Sequence, residues 1–401
     1  MALHTVSELK DSVAGMLSGL DLSNVDNLNG ALERGARILV QNADIPEASF
    51  IQNITLYAGV TDYVCDSRIF GTAINDIRPQ GISRSSANFP VKTDQETFDR
   101  TKSSYYPSGT MSTFEFRNGV PTIRIVAPYT TQQIIIDPMN STDDWTAGGD
   151  ASGLAQDRTF YYQSPASLRF NLATSGSSGY LEKTLQSSID LSEYVEVAYV
   201  FLAVEMPTAS DITSYTVRLG SDSSNYYTVT STTAFLGSFI SDEFQLIGFD
   251  LSTATTVGSP DSSNIDYVRC IVNYNGTAQA NMRFGYLFTS LPTPAQILSQ
   301  TSAIFLPSGS STPLTTITAD TDTIILTDAA YTLYEHEGAI SICQQTGGTS
   351  GSPMIQTLQQ ILNGNGRETG LYQKYRGDNP SQELRTINSW YDNNAGYNGW
   401  I

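Results

Sequence analysis

The chain has 401 residues, 40% of them hydrophobic, which is enough for two or three domains with real cores. Forty acidic against 21 basic side chains leave a net charge of -19, so the surface repels phosphate and disfavours tight nucleic-acid binding. No apolar run approaches the ~20 residues that span a bilayer, so no membrane association is expected.

The first ten residues lack a basic stretch followed by an apolar one, so no secretory signal is expected and the chain is read as made in a cytoplasm. Thr5 and Glu8 have capping-box spacing ahead of a short helix carrying Val6, Leu9, Val13, Met16 and Leu17 on one face. A second helix is expected over residues 26–43, where Leu28, Leu32, Gly35 and Leu39 recur at helical spacing and Pro46 stops the run. Arg34 and Arg37 fall near its opposite side and are candidates for a subunit or partner contact.

A β region follows. Ile54-Thr-Leu-Tyr57 and Tyr63-Val-Cys65 flank Ala58-Gly59 at a hairpin-like spacing, and residues 74–77 read as a further strand. Residues 81–104 form a long polar loop. Phe114-Glu-Phe116 and Ile123-Arg-Ile125 around Asn118-Gly119 give the clearest hairpin, because Asn-Gly tolerates the positive φ of a tight turn.

Residues 137–290 alternate apolar and polar positions in short segments parted by turn residues, the pattern of an all-β sandwich. This region holds 17 acidic and 6 basic side chains. Trp145, Tyr226 and Tyr227 are candidates for stacking on a sugar ring. Asp143, Asp144, Asp150 and Asp157 offer oxygens of the kind that could help hold Ca²⁺; no cofactor is otherwise expected. Residues 291–326 read as a linker rich in Pro, Ser and Thr. Helices resume over 329–345, after Ser352-Pro353, over 366–376 and after Asn379-Pro380. In the tail, Tyr397 and Trp400 suggest an arm docking on a neighbour.

The expected fold is therefore α+β and multidomain. Residues 1–136 and 291–401 would together make a helical bundle with short β hairpins, and residues 137–290 an inserted jelly-roll-like antiparallel sandwich. No catalytic residues are expected. His4 and His336 are the only histidines, no carboxylate pair stands out, and Thr346-Gly-Gly-Thr-Ser-Gly-Ser352 lacks the Gly-Lys-Ser/Thr ending of a phosphate loop. Cys65, Cys270 and Cys343 are odd in number and far apart, which suits free thiols better than a metal site or disulfide framework.

Two resemblances add to this. Ser164-Pro-Ala-Ser-Leu-Arg-Phe170, Ile189-Asp-Leu-Ser-Glu-Tyr194, Arg218-Leu-Gly-Ser-Asp-Ser-Ser-Asn-Tyr-Tyr227 and Phe249-Asp-Leu-Ser252 make the middle resemble the sandwiches of carbohydrate-binding modules and galactose-binding-like domains. The flanks resemble a tailed-bacteriophage head–tail connector of the adaptor or neck type. The carrying stretches are Asn27-Leu-Asn-Gly-Ala-Leu-Glu-Arg-Gly-Ala-Arg37, the 54–66 hairpin, Ile74-Asn-Asp-Ile77, Gly370-Leu-Tyr-Gln-Lys-Tyr375 and Asn379-Pro-Ser-Gln-Glu383. That resemblance implies a structural virion protein at the neck and a homo-oligomeric ring, twelve-fold by resemblance. Its partners would be portal, neck and tail proteins, and DNA would pass through without specific binding. The alternative is a tail-fibre or surface adhesin whose sandwich binds carbohydrate.

Overall fold

A computed structural model describes residues 4–17, 22–43, 45–79, 111–117, 119–126, 133–346, 352–365 and 368–378. The N-terminal segment runs β1 (His4–Thr5), α1 (Val6–Met16), α2 (Leu28–Asn42), β2 (Ser49–Tyr57), β3 (Asp62–Val64), β4 (Ile69–Pro79), β5 (Met111–Arg117) and β6 (Val120–Val126). Twelve strands follow: β7 (Gln133–Asp137), β8 (Trp145–Gly149), β9 (Ala151–Asp157), β10 (Ser167–Leu172), β11 (Ser178–Ile189), β12 (Tyr199–Glu205), β13 (Ile212–Asp222), β14 (Asn225–Ser231), β15 (Gln245–Asp250), β16 (Thr255–Val257), β17 (Ile265–Tyr274) and β18 (Gln279–Ser290). The chain then forms β19 (Pro292–Thr301), β20 (Phe305–Leu306), β21 (Thr323–Ile324), α3 (Asp328–Gln345), α4 (Pro353–Asn363) and α5 (Leu371–Asp378).

Two compact units result, one from Thr55–Tyr63 with Ala127–Pro294 and one from Met1–Ile54, Val64–Val126 and Ala295–Ile401. The first is a sandwich of two six-stranded sheets. One has the order β15-β12-β18-β10-β9, with β7 also on β18; the other runs β16-β14-β13-β17-β11-β8. Strand periodicity of two sorts their side chains. In β17, Val268, Cys270, Val272 and Tyr274 enter the shared core, and Tyr267, Arg269, Ile271 and Asn273 point to the opposite face. Phe170 and Phe284 meet at 4.9 Å inside, and Tyr215 reaches Phe284 from the facing sheet.

On the outside of the β15-containing sheet, Tyr57 and Tyr63 join Tyr199, Phe201 and Phe235 in edge-on and tilted ring contacts. This explains why Thr55–Tyr63 belongs to the sandwich unit. Gly59 turns this segment at φ +85°, a conformation a Cβ would oppose.

In the other unit the terminal helices share one core. Val6, Leu9 and Val13 of α1, Leu32, Ala36 and Leu39 of α2, and Tyr334 and Ile342 of α3 all contribute. The capping box forms at the start of α1: Thr5 Oγ1 accepts from the Glu8 amide at 3.2 Å, and the Glu8 carboxylate accepts from the Thr5 amide at 2.9 Å. Tyr334 is fully buried and donates its hydroxyl to the Leu32 carbonyl at 3.1 Å. Gly35 and Gly338 meet where α2 crosses α3, and a Cβ built on Gly35 would stand 2.9 Å from Gly338 Cα.

Glu337 is buried beside this crossing and accepts a 2.5 Å hydrogen bond from Tyr372 Oη. Burial pushes its carboxyl up, and hydrogen bonds from Tyr372 and Asn42, with His336 nearby, offset this only in part. The folded chain therefore holds a proton that the unfolded chain has already released, so stability falls as pH rises through that range. Glu337→Gln keeps an acceptor for Tyr372 and removes the titration. Its melting temperature should exceed the parent's at pH 8, with the gap closing toward pH 4; a pH-independent gap would refute this account.

The structure overturns the expected helical bundle with short hairpins and an inserted sandwich. Among the described residues there are five α-helices against twenty-one strands, and the chain forms three three-stranded sheets besides those of the sandwich: β1-β21-β20, β2-β19-β4 and β3-β6-β5. The described residues are predominantly β. The 54–65 hairpin does not form, because β2 pairs with β19 and β3 with β6. Residues 291–326 are not merely a linker: Ala295, Ile297 and Ser299 of β19 turn inward at every second position, and that strand is the middle of its sheet. The hairpin at Gly119 does form, with Arg117 opposite Val120 and φ +79° at the glycine. No helix among the described residues is long and apolar enough to cross a membrane.

Candidate functional site

The outer face of the β16-β14-β13-β17-β11-β8 sheet gathers side chains from four strands. Register places Glu182 opposite Arg269, Arg218 opposite Arg269, and Gly220 between Tyr267 and Tyr226. Glu182 Oε2 accepts from Arg269 Nε at 2.9 Å, from Arg269 Nη2 at 2.5 Å and from the Tyr267 hydroxyl at 2.9 Å. Burial, reinforced by this bond to Glu182, pushes the Tyr267 phenol up to about 12, so it stays a donor at neutral pH. The Arg269 guanidinium lies 4.3 Å from the Tyr180 ring centre and 5.7 Å from that of Tyr267. Arg218 stacks 4.7 Å from the Tyr226 ring centre.

Tyr180 and Tyr226 thus stand half-buried on one face with two guanidinium planes and a carboxylate between them, and Tyr267, itself buried, fixes that carboxylate from below. Opposite-charge and cation–π neighbours fix these side chains before any ligand arrives. Flanking positions add hydroxyl and amide groups: Asn273 Nδ2 donates to Ser214 Oγ at 2.9 Å, and Thr216 and Thr230 share a 2.8 Å bond. Such a surface offers apolar ring faces beside many hydrogen-bonding groups, the combination a pyranose presents in return.

The sugar-stacking candidates are not brought together. Trp145 is 5% exposed and sits in the core, with Lys183 Nζ 5.9 Å from its ring. Tyr227 leans on that same core, and only Tyr226 takes the outer face. Trp145 on β8 lies four strands from β14, about 19 Å at the usual spacing. The residues sequence reasoning missed are Tyr180, Glu182, Tyr267 and Arg269. Their only linear signal is the alternation of aromatic and charged positions in β11 and β17.

The four aspartates do not converge either. Asp143 pairs with Ser141 and Asp144 with Gln186, while Asp150 caps the amides of Ser177 and Ser178 and Asp157 binds Thr159 and Arg283. Among the described residues no three His, Cys, Asp or Glu side chains gather as metal ligands would. Cys65 and Cys270 are buried free thiols, and burial pushes the Cys65 thiol up to about 12. Asp190 and Asp250 each accept from the serine two residues on, and so hold turns. Arg34 and Arg37 are exposed on α2. Tyr397 and Trp400, and most of the glycine-rich 346–352 stretch, lie outside the described residues.

No family model matches the chain, and no curated protein matches it. Similar solved structures include the family 30 carbohydrate-binding module of the cellulosomal cellulase Cel9D-Cel44B of Clostridium thermocellum. It is 15% identical over 39% of this chain and 96% of the module, with a TM-score of 0.31. The family 11 carbohydrate-binding module of Clostridium thermocellum, solved with a β-1,3-1,4-mixed-linked tetrasaccharide, is 10% identical over 40% of this chain and 95% of the module, at 0.29. An agarase is 7% identical over 40% of this chain but only 24% of its own, at 0.28. Similarities of this size decide nothing about function. No finding supports the head–tail connector, and the 54–65 segments, which pair with other strands and not with each other, remove one of the features that carried that resemblance.

Proposed function

We propose that the outer face built by β11, β13, β14 and β17 binds the pyranose chain of a polysaccharide, and that the protein works as an adhesin-type or tail-fibre-type binding module. The observation that supports this is the pair Tyr180 and Tyr226 held in place by Arg269 and Arg218, with Glu182 between them fixed by the buried Tyr267. Tyrosines supply stacking area, and the guanidinium and carboxylate groups supply directional partners for ring hydroxyls. The neck role expected from the flanks has no comparable observation behind it.

The test is a glycan array probed with the full chain, followed by calorimetry on the best ligands. Tyr180→Ala should weaken binding about tenfold, the size of one lost stacking contact. Tyr161→Ala is the control, since Tyr161 is 49% exposed and is not among the face residues; it should leave affinity unchanged. A blank array, or equal affinity for both variants, removes the reading.

A further inference from the structure

We infer that the glycan held by this face is anionic, with carboxylates or sulfate esters that pair with Arg218 and Arg269; the inference rests on the carbohydrate-binding reading and narrows it.

Lys183, Arg269 and Arg283 each have a carboxylate oxygen within 2.9 Å. Arg218 has no such partner among the described residues, and its Nε is shut off from solvent with no acceptor. Only Nε is so enclosed; the residue is half-buried, and an anion would pair with its terminal nitrogens. Moreover, Arg218 stands directly opposite Arg269 across the β13–β17 pair. Like charges in that position repel, and Glu182 balances only one of the two. The result is a local positive excess on the outer face of a unit whose 137–290 stretch holds 17 acidic against 6 basic side chains in all.

An anion between the two guanidiniums would satisfy both. The planar fork of arginine matches carboxylate and sulfate oxygens in a bidentate way, which a neutral hydroxyl cannot reproduce. Aromatic rings flank the pair, Tyr226 beside Arg218 and Tyr180 beside Arg269. A pyranose could therefore stack while its charged substituent reaches the arginines. The acidic surface elsewhere does not forbid this, because charges beyond about 8 Å are largely screened at physiological salt.

Calorimetry on the full chain should compare an oligogalacturonate, an oligomer of a sulfated galactan and a neutral mixed-linkage glucan. At least one anionic ligand should bind about tenfold tighter than the neutral one, and its affinity should fall as salt is raised. Arg218→Gln should lose about tenfold on that ligand and clearly less on the neutral glucan, which loses only the support Arg218 gives Tyr226, with Arg218→Lys recovering only part. Arg158→Gln removes the same charge from an exposed site and should change nothing. Should Arg218→Gln melt early, the salt dependence of the parent protein and the lysine variant still decide the matter. Equal or tighter binding of the neutral glucan, or an anionic affinity indifferent to salt or to Arg218, overturns the inference and leaves the carbohydrate reading standing. No binding to any glycan overturns both.

Discussion

Arg283→Met is expected to destabilise the sandwich by about 3–5 kcal/mol, the usual cost of removing one partner from a buried ion pair. Arg283 Nε lies 2.8 Å from Asp157 Oδ2, and its Nη1 lies 2.6 Å from Glu205 Oε2. The two carboxylate side chains are only 6% and 3% exposed. Burial opposes charge on Asp157, yet hydrogen bonds from Thr159 and Arg283 hold its carboxyl well below the usual range. On Glu205 burial wins, and its carboxyl is pushed up although Arg283 is adjacent. Without the guanidinium, both carboxylates would face a dry environment with no cation. Thermal unfolding of the sandwich should drop by on the order of 10 °C, and lowering the pH should recover part of that by protonating Glu205 first. The triple change Asp157→Asn, Glu205→Gln, Arg283→Met should restore most of the loss, since neutral groups of similar volume carry no such penalty. A single Arg283→Met variant within 1 kcal/mol of the parent would mean that water reaches the triad.

Gly35→Val should cost about 2–3 kcal/mol, in the upper part of the range for overpacking a tight contact. Its new Cβ would press on Gly338 backbone atoms at 2.9 Å, and on the backbone of Glu337 just beyond. Backbone cannot rotate away as a side chain can, so α2 and α3 must move apart and loosen Leu32, Leu39 and Tyr334. Gly15→Ala on α1 is the contrast: nothing lies within 4 Å of its would-be Cβ. That variant should gain about 0.5–1 kcal/mol from helix propensity alone. Chemical denaturation of both variants checks the pair. Similar losses at the two positions would show that α2 and α3 are not in close backbone contact.

The parts of the fold written in local patterns were legible. The Thr5–Glu8 capping box, the apolar stripe of α2 and the hairpin at Gly119 each depend on residues a few positions apart. The alternation through residues 137–290 likewise revealed a sandwich before any pairing was known. Misreadings came where partners are distant. Ile54-Thr-Leu-Tyr57 looked like half of a hairpin, but β2 finds its partner in β19, more than two hundred residues on. Ala295 to Ser299 looked like linker because β19 carries Pro and polar residues at its visible positions.

The candidate face was illegible for the same reason. Glu182 and Arg269 are 87 residues apart, and only register sets them side by side. Trp145 and Tyr227 are large aromatics, yet strand parity turns both toward the core. Parity was readable in the sequence; which parity faced outward was less so, because the outer row of β17 sets Tyr267 and Ile271 among Arg269 and Asn273.

The shared core of α1, α2 and α3 has a consequence for biosynthesis. Leu39 leaves the ribosome almost three hundred residues ahead of Tyr334. At ordinary elongation rates that interval is roughly 15–60 s. During it the first two helices have no partner to cover their apolar stripes, while all the strands of the sandwich emerge and can collapse together. Nascent chains stalled before residue 330 should therefore recruit holding chaperones at their leading end, and release them once α3 arrives.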